Sequence, residues 1–226
     1  MLSRSDPGPI GRLRYIQAMS DDEITDLVQV RLYYDFASTL CYVAHRVLSE
    51  IDAQITGLGV ELEWRPLDLT SIVPWNRGDS FAPEVRSTVK NTALTLGVDT
   101  EMPDPWLDSR PASQIALSTT SRENEARWRR AVFDSIFEQG VVELTPGLLE
   151  LAKQLTGTDS PSDEAEQRFD LVEESTRDAS ALGVTGVPTL LLDDTLFGGI
   201  YDGESMLSVL GQLSQQHRER GLGAVN

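Results

Sequence analysis

The segment Tyr34–Ala44, with the sequence YDFASTLCYVA, decides the fold because it joins a predicted strand to a predicted helix. Over Val28–Phe36 apolar residues alternate with other residues in the two-residue period of a strand. From Cys41 to Ile55 apolar residues recur at spacings of three and four, which is the period of a helix. A second alternating run, Val60–Trp64, follows after Gly57 and Gly59. The order is a β-α-β unit, whose right-handed crossover makes the two strands parallel.

The middle of the chain, from about residue 68 to residue 178, is predicted to be mostly helical. Prolines stand in the first turns of several expected helices, and glycines follow their last periodic residues. The expected helices are Pro83–Gly97, Ser109–Ser121, Glu123–Gln139, Pro146–Leu155 and Ser162–Leu182.

The last third of the chain returns to strands. Pro188–Leu192 and Thr195–Gly198 are joined by Asp193-Asp194, which predicts an antiparallel hairpin. A final helix is expected from Gly203 to about Arg218. The element order therefore predicts an α/β fold with a mixed sheet and a helical insertion between its halves. The expected parts are an N-terminal extension at 1–27, one domain formed by 28–70 and 179–218, an inserted all-helical domain at 71–178 and a tail at 219–226.

The charge of the chain limits its partners. The 226 residues include 19 Lys and Arg and 36 Asp and Glu, for a formal net charge of −17. A field of this sign repels nucleic acid and anionic lipid surfaces, so we expect neither as a partner. The chain has two histidines and no cluster of ligand residues at metal-site spacing, so we expect no metal.

The cysteine count and the N-terminus predict the compartment. Cys41 is the only cysteine, so the chain forms no internal disulfide and gives no support for an oxidising compartment. The N-terminal residues lack the basic, apolar and small-residue order of a secretory signal, and no apolar run is long enough to span a membrane. We therefore expect a cytoplasmic protein.

Two loops of the chain resemble those of the thioredoxin fold. One is the Tyr34–Ala44 segment, and the other is Gly183–Thr189, GVTGVPT, which looks like the cis-proline loop of that superfamily. Within it the chain is similar to the DsbA-like group, which contains 2-hydroxychromene-2-carboxylate isomerases, kappa-class glutathione transferases and disulfide oxidoreductases. Glu63–Pro66 and Phe133–Gly140 also match this group. The resemblance, from about residue 28 to residue 213, implies a thioredoxin fold with an inserted helical domain.

The motif Ser38-Thr39-Leu40-Cys41 lacks the first sulfur of a dithiol. A dithiol oxidoreductase needs two sulfurs three positions apart, because the second thiol resolves the mixed disulfide made by the first. The resemblance implies instead that Ser38 donates a hydrogen bond to the sulfur of glutathione or another low-molecular-weight thiol. The positive end of the helix also favours the thiolate. The alternative is that Ser38 only caps the helix. Thr39 stands where the isomerase motif has Pro.

Four further side chains have two interpretations each. Cys41 is either a small core residue or, if it is exposed, a single-thiol redox centre that uses glutathione to resolve. His45, one turn later, either forms a Cys-His pair with Cys41 or faces solvent, and we expect it to face solvent. Trp75 and Trp106 either pack or line a pocket for a flat aromatic substrate.

The resemblance also implies ligand-binding residues in the last third of the chain. If the bond before Pro188 is cis, the backbone N–H and C=O of Val187 turn toward the active loop and can pair with an extended peptide such as glutathione. The alternative is a proline that merely opens an edge strand. Asp202 resembles the acidic residue that holds the amino group of the ligand, and its alternative is a turn before the last helix.

These features predict an enzyme of thiol chemistry. The first hypothesis is an isomerase or transferase that depends on glutathione or another small thiol and acts on a small aromatic or electrophilic substrate. One alternative is a single-thiol disulfide oxidoreductase that acts through Cys41. The other is a catalytically silent thioredoxin-fold binding module. The kappa-like resemblance implies a homodimer.

Overall fold

A four-stranded mixed sheet forms the centre of the computed structural model, which describes residues 27–141, 143–167 and 169–223. The strands lie in the order β2-β1-β3-β4, with β1 parallel to β2 and antiparallel to β3, and β3 antiparallel to β4. The predicted β-α-β unit and hairpin are therefore confirmed. The strands are β1, Val28–Tyr34; β2, Val60–Pro66; β3, Thr189–Leu192; and β4, Thr195–Gly198.

The register of β1 and β3 positions the two loops that the sequence singles out. Tyr33, near the end of β1, lies opposite Thr189, the first residue of β3. Because the two strands are antiparallel, the loop that leaves β1 and the loop that enters β3 meet at the same edge of the sheet. This places the Ser38 loop beside Val187 and Pro188.

The described residues form nine α-helices around this sheet. A 3₁₀ turn, Leu69–Ser71, follows β2, and a π turn, Asp134–Glu138, follows the fifth helix. The helices are α1, Thr39–Glu50; α2, Asp52–Gly57; α3, Pro83–Thr95; α4, Arg110–Leu117; α5, Arg122–Phe133; α6, Pro146–Thr156; α7, Pro161–Gln167; α8, Asp170–Ala181; and α9, Gly203–Gly223.

Several expected helices differ from the structure in a break or at an end. The helix predicted over Cys41–Ile55 is divided at Ile51, whose backbone leaves the helical region while its carbonyl accepts from Gln54 and Ile55 N–H. The segment predicted as Ser162–Leu182 forms two helices, α7 and α8. The final helix continues past its predicted end near Arg218 to Gly223. The predicted extension at 1–27 lies outside the described residues, apart from Leu27.

One hydrophobic core joins the sheet to the inserted helices. The ring of Tyr34 in β1 lies 5.1 Å from that of Phe36 and 5.9 Å from that of Phe133 in α5. Trp128, Phe133 and Leu155, all from the middle of the chain, are almost fully buried in the same cluster as the β1 side chains. Nowhere in the described chain does a helix have the length and apolar character needed to cross a membrane.

Candidate functional site

Ser38 caps α1 and keeps its hydroxyl proton free for another acceptor. Its backbone is extended, its Oγ accepts from Cys41 N–H at 3.4 Å, and its own N–H donates to the Asp35 carbonyl at 3.1 Å. The cap uses a lone pair of the hydroxyl oxygen, so the O–H remains available as a donor. The structure thus shows the capping role. The catalytic role of Ser38 stays a prediction that is compatible with it.

Cys41 is sealed inside the core. Its side chain is 0% exposed, and burial raises the pKa of its thiol to about 12, although hydrogen bonding to Ser38 opposes the rise. Almost none of it is thiolate at neutral pH, and the thiolate is the reactive form. The exposed thiol that the single-thiol hypothesis requires is therefore not found at Cys41.

Val187 and Pro188 lie beside the Ser38 loop. The peptide bond between them is cis, and the Pro188 carbonyl accepts from Gly199 N–H at 2.8 Å, which ties the loop to β4. Val187 is half-buried, and within the described part of the chain no hydrogen bond is found to its N–H or C=O. These two backbone groups can therefore pair with an extended ligand, and their role in binding stays a prediction.

Asp202 is exposed and caps α9. Its carboxylate accepts from the Ser205 N–H at 2.9 Å and the Ser205 hydroxyl at 3.0 Å. The hydrogen bond from the Ser205 backbone lowers the pKa of Asp202. The capping geometry accounts for an acidic residue at this position. Recognition of a ligand's amino group by Asp202 stays a prediction.

Asp35 is a buried carboxylate that the sequence analysis did not single out. It directly follows β1 and accepts from Ala37 N–H, Leu69 N–H and the Ser109 hydroxyl, at 2.8, 2.8 and 2.6 Å. These donors belong to the Ser38 loop, to the turn after β2 and to the residue before α4. Asp35 therefore fixes the Ser38 loop to the inserted helices.

Burial makes the Asp35 carboxyl hold its proton more tightly. The pKa of Asp35 is raised from 3.8 to about 6 by burial, although the hydrogen bonds from Ser109, Leu69 and Ala37 oppose the rise. A strongly shifted carboxyl next to a candidate site is typical of functional positions. The available signal in the sequence was a charged residue between a buried strand and a capping serine.

A second buried network lies between β1, α1 and α5. Glu125 accepts from the Tyr34 hydroxyl at 3.1 Å and from Arg129 Nε at 2.9 Å, and Arg129 Nη1 lies 3.0 Å from His45 Nδ1. The Arg129 guanidinium also lies over the Trp64 ring, 3.9 Å from its centroid. The network balances one buried cation with one carboxylate.

The expected exposure of His45 was wrong. His45 is buried and stacks on Phe133, with ring centroids 5.3 Å apart. Burial, with the nearby Arg129 charge, lowers the pKa of His45 to about 3. Because a guanidinium only donates, Nδ1 is the acceptor and the neutral ring carries its proton on Nε2. The face of α1 that was expected to meet solvent is covered by α5.

The π turn positions side chains on both of its sides. Its wider winding is shown by the Gln139 N–H, which donates to the Asp134 carbonyl five residues earlier at 3.1 Å. On one side the Phe137 ring stacks on Tyr42 of α1, with centroids 4.7 Å apart and planes 10° apart. On the other side Ser135 contributes to a cavity. Turns of this kind are frequent at functional sites.

This cavity, which we call the Ser109 cavity, has a volume of about 700 Å³. That size suits a small organic ligand. Ser109 in its wall donates a hydrogen bond to Asp35. Asp35 in turn accepts from Ala37 N–H and so holds the Ser38 loop. Most of its lining is apolar. The wall includes Ser109, Ala112, Val132, Ser135, Ile136 and Leu148.

A second cleft of about 620 Å³ runs along the outer edge of β2. Its lining includes Glu61 and Arg122, which form an ion pair, and like the Ser109 cavity it contains neither Ser38 nor Val187. Unlike that cavity, it has no described residue that hydrogen-bonds to Asp35. We therefore assign the chemistry to the Ser38 loop and not to this cleft.

Trp75 and Trp106 pack together with Phe81. The rings of the two tryptophans lie 5.5 Å apart in an edge-to-face arrangement, and Phe81 contacts both. The packing interpretation accounts for these side chains. Within the described ranges, no group of three or more His, Cys, Asp or Glu residues could hold a metal ion.

Comparisons with known proteins identify the family and the fold. A family model described as DSBA-like thioredoxin domain matches residues 29–211. Among solved structures, a 2-hydroxychromene-2-carboxylate isomerase is 18% identical, with 85% of this chain and 98% of that chain covered and a TM-score of 0.62.

Two further solved structures share the fold. The cytosolic disulfide reductase DsbM from Pseudomonas aeruginosa, solved with GSH, is 17% identical, with 85% and 98% of the two chains covered and a TM-score of 0.54. The alpha-DsbA1 of Wolbachia pipientis is 16% identical, with 87% and 90% covered and a TM-score of 0.53. No match was found among curated protein sequences. At these identities the solved structures show a common fold.

Proposed function

The chain belongs to the DSBA-like thioredoxin domain family, a family of thiol oxidoreductases and isomerases, and from this premise we propose that it uses the sulfur of a bound thiol. The thiol is glutathione or another low-molecular-weight thiol. The reaction is the isomerisation of a small aromatic or electrophilic substrate, or the transfer of the thiol to it. The thiol and this organic substrate are the proposed partners.

The observation that carries the proposal is the absence of a reactive sulfur at the start of α1. Ser38 occupies the position of the attacking thiol, and Cys41 is buried with a thiol pKa of about 12. A dithiol cycle needs two reactive sulfurs, so this chain cannot complete one alone. In our proposal the sulfur therefore comes from a ligand. The structure of DsbM with GSH gives an example of a protein of this fold with such a thiol.

The residues present fit a small peptide thiol. Val187 offers a backbone N–H and C=O that have no partner among the described residues, and these groups suit the extended backbone of such a ligand. The Ser38 hydroxyl can donate to its sulfur. Beside it, Thr39 Oγ1 is buried without a hydrogen-bond partner in the described chain. A polar ligand group that reached it would remove this cost.

The chain's own residues would then hold the ligand and favour its charged form. A bound thiol supplies the nucleophilic sulfur. Ser38 and the N-terminus of α1 stabilise negative charge at that point, which lowers the pKa of a thiol held there. Asp35 positions the loop, and the Ser109 cavity receives the organic substrate away from water.

The test measures the thiol pKa of glutathione bound to the protein. Thiolate absorbance is recorded during a pH titration of the complex. With wild-type protein we expect this pKa to fall below the usual value of about 8.5. In Ser38→Ala we expect it to rise by about one to two units, because a hydrogen bond to a charged group is lost. Cys41→Ala should leave the titration unchanged.

Ser121→Ala is the matched control. Ser121 caps α5 with the same geometry, since its Oγ accepts from Asn124 N–H at 3.2 Å. The variant Ser121→Ala therefore lacks a serine cap on α5, while its candidate site is unchanged. If wild-type protein binds neither glutathione nor other small thiols in calorimetry, the proposal fails and the binding-module hypothesis replaces it. If Cys41→Ala abolishes thiol-disulfide exchange, the single-thiol hypothesis replaces it.

A further inference from the structure

We propose that the Ser109 cavity selects apolar molecules that carry a hydrogen-bond donor and no carboxylate, such as an aromatic amine or a phenol. This selectivity concerns the organic substrate, and the cavity's role as a substrate site rests on the proposed function. Binding in the cavity does not require the thiol. The two proposals can therefore fail separately.

The two hydroxyl groups among the described residues of the cavity wall can accept hydrogen bonds from a ligand but have no proton left to donate to it. The Ser109 hydroxyl donates its proton to Asp35 at 2.6 Å, and the Ser135 hydroxyl lies 3.4 Å from the Val141 carbonyl, to which it donates. Both side chains are buried. Because a hydroxyl has one proton and two lone pairs, what remains for a ligand is a lone pair. A ligand must therefore bring the donor.

The charged side chains of the lining are all acidic. They are Asp104, Asp108 and Glu143, and no Lys, Arg or His lies among the described residues of the wall. Burial alone would raise the pKa of Asp108, but hydrogen bonds from Arg110 outweigh it, so that the pKa lies below its usual value. At neutral pH this carboxyl is therefore charged.

Two of the three carboxylates already form ion pairs with arginines outside the wall. Asp104 pairs with Arg86, and Asp108 pairs with Arg110 and Arg77. Glu143 has no ion pair in the described chain and is exposed at the rim. A cationic group of a ligand can therefore form an ion pair with Glu143 without displacing another cation.

A carboxylate ligand would find no cationic side chain among the described residues of the wall. It would lose its hydration beside three acidic side chains and an apolar wall, with no side-chain donor to replace the water. The net charge of −17 adds repulsion at longer range. An apolar ring with an amine or hydroxyl group instead buries its ring and satisfies the acceptors. The cavity thus discriminates by charge and by hydrogen-bond direction.

The experiment is calorimetric titration of the full chain, without thiol, with naphthylmethylamine, naphthol, the methyl ether of naphthol and naphthoate. These probes share one ring system and differ in charge and in donor capacity. We expect the amine and naphthol to bind. The ether should bind about threefold to tenfold more weakly than naphthol, because it lacks the donor. Naphthoate should bind at least about tenfold more weakly than the amine.

Glu143→Gln locates the bound amine. We expect it to weaken amine binding by about twofold to fivefold, which is the range for an exposed ion pair, and to leave naphthol unchanged. Glu150→Gln is the control, because it removes an exposed carboxylate that pairs with Lys153 and lies outside the described wall. Leu149→Trp, at a half-buried wall position, should fill the cavity and weaken all probes.

The inference is overturned if naphthoate binds as tightly as the amine, or if Glu143→Gln and Glu150→Gln have equal effects. A chain that binds glutathione but none of the naphthalene probes contradicts this inference alone. A chain that binds the amine and naphthol as expected but no thiol contradicts the proposed function and supports this inference.

Discussion

The Asp35 carboxyl has a raised pKa although it accepts three hydrogen bonds. Because this carboxyl holds the Ser38 loop, the contacts of the loop depend on the pH of the solution. Removal from water disfavours its charged form more strongly than its three donors favour it. The folded protein therefore binds a proton more tightly at Asp35 than the unfolded chain does. This difference is measurable as a dependence of stability on pH.

Asp35→Asn should remove part of the pH dependence of stability. Between pH 3.8 and about 6 the folded wild type binds the extra proton at Asp35, so its free energy of unfolding falls as pH rises across this window. We expect the wild type to lose about 3 kcal/mol relative to Asp35→Asn between these limits. Urea unfolding of both proteins at several pH values measures this.

Ser109→Ala is the control for the Asp35 prediction. It keeps the carboxyl but removes the donor 2.6 Å away, which raises the pKa of Asp35 in the folded protein further, so the loss of stability with rising pH should be larger and should continue to higher pH. A wild-type protein and an Asp35→Asn variant with parallel pH profiles would contradict the prediction.

The sequence indicates residues whose role follows from position along the chain, and it misses those whose role follows from contacts. Ser38 was placed correctly at the start of α1, because a cap is a local feature. Asp35 was not singled out, because its partners Leu69 and Ser109 are distant in sequence. His45 was predicted to be exposed, because nothing in the spacing of α1 shows that α5 covers that face.

At the scale of elements, α5 is held to the sheet by a buried ion pair. Arg129 and Glu125 stand one turn apart on α5, and both side chains are largely buried. Glu125 reaches Tyr34 of β1, and Arg129 reaches His45 of α1 and the Trp64 ring of β2. The pair therefore connects three elements of the thioredoxin fold to one inserted helix.

Arg129→Met should be strongly destabilising. Without the guanidinium, Glu125 is left as a buried charge without its cation, and breaking such a pair costs about 3–5 kcal/mol. The double variant Glu125→Leu with Arg129→Met removes both charges and should recover most of the loss. The free energy of unfolding in urea gives both values.

Arg122→Met tests whether burial is the cause. Arg122 lies on the same helix and pairs with Glu61, but half of its side chain is exposed. Its loss should cost no more than about 1 kcal/mol. Equal losses in Arg122→Met and Arg129→Met would show that the buried network adds nothing.

Element types were predictable where the apolar period is regular, and element ends were less so. Both halves of the helix predicted over Cys41–Ile55 bury their apolar side chains, Ile55 included, so the period does not reveal the break at Ile51. The π turn at the end of α5 is likewise hidden, because Ser135 and Ile136 still point inward. Both differences arise from packing between elements.

At the scale of the whole molecule, the inserted helices and the thioredoxin fold share their interior. The boundaries expected from the sequence, 28–70 with 179–218 and 71–178, remain a prediction. Hydrogen bonds nevertheless cross them at several separate places: Tyr34 with Glu125, Asp35 with Ser109, Arg46 with Glu138, Pro66 with Ser175, and Asp68 with Thr176. The buried rings of Tyr34 and Phe133 add an apolar contact across the same boundary.

These contacts predict that both parts unfold as one cooperative unit. Opening α5 alone would expose Phe133 and leave the Tyr34 hydroxyl without its partner Glu125, which costs much of what full unfolding costs. In hydrogen exchange at increasing denaturant, the most protected amides of β1 and α5 should therefore converge on one free energy of opening. The double variant Tyr34→Phe with Ser109→Ala, which removes two crossing hydrogen bonds, should lower both sets together. If α5 opens at a clearly lower free energy than β1 in wild type, the insertion is a separate folding unit.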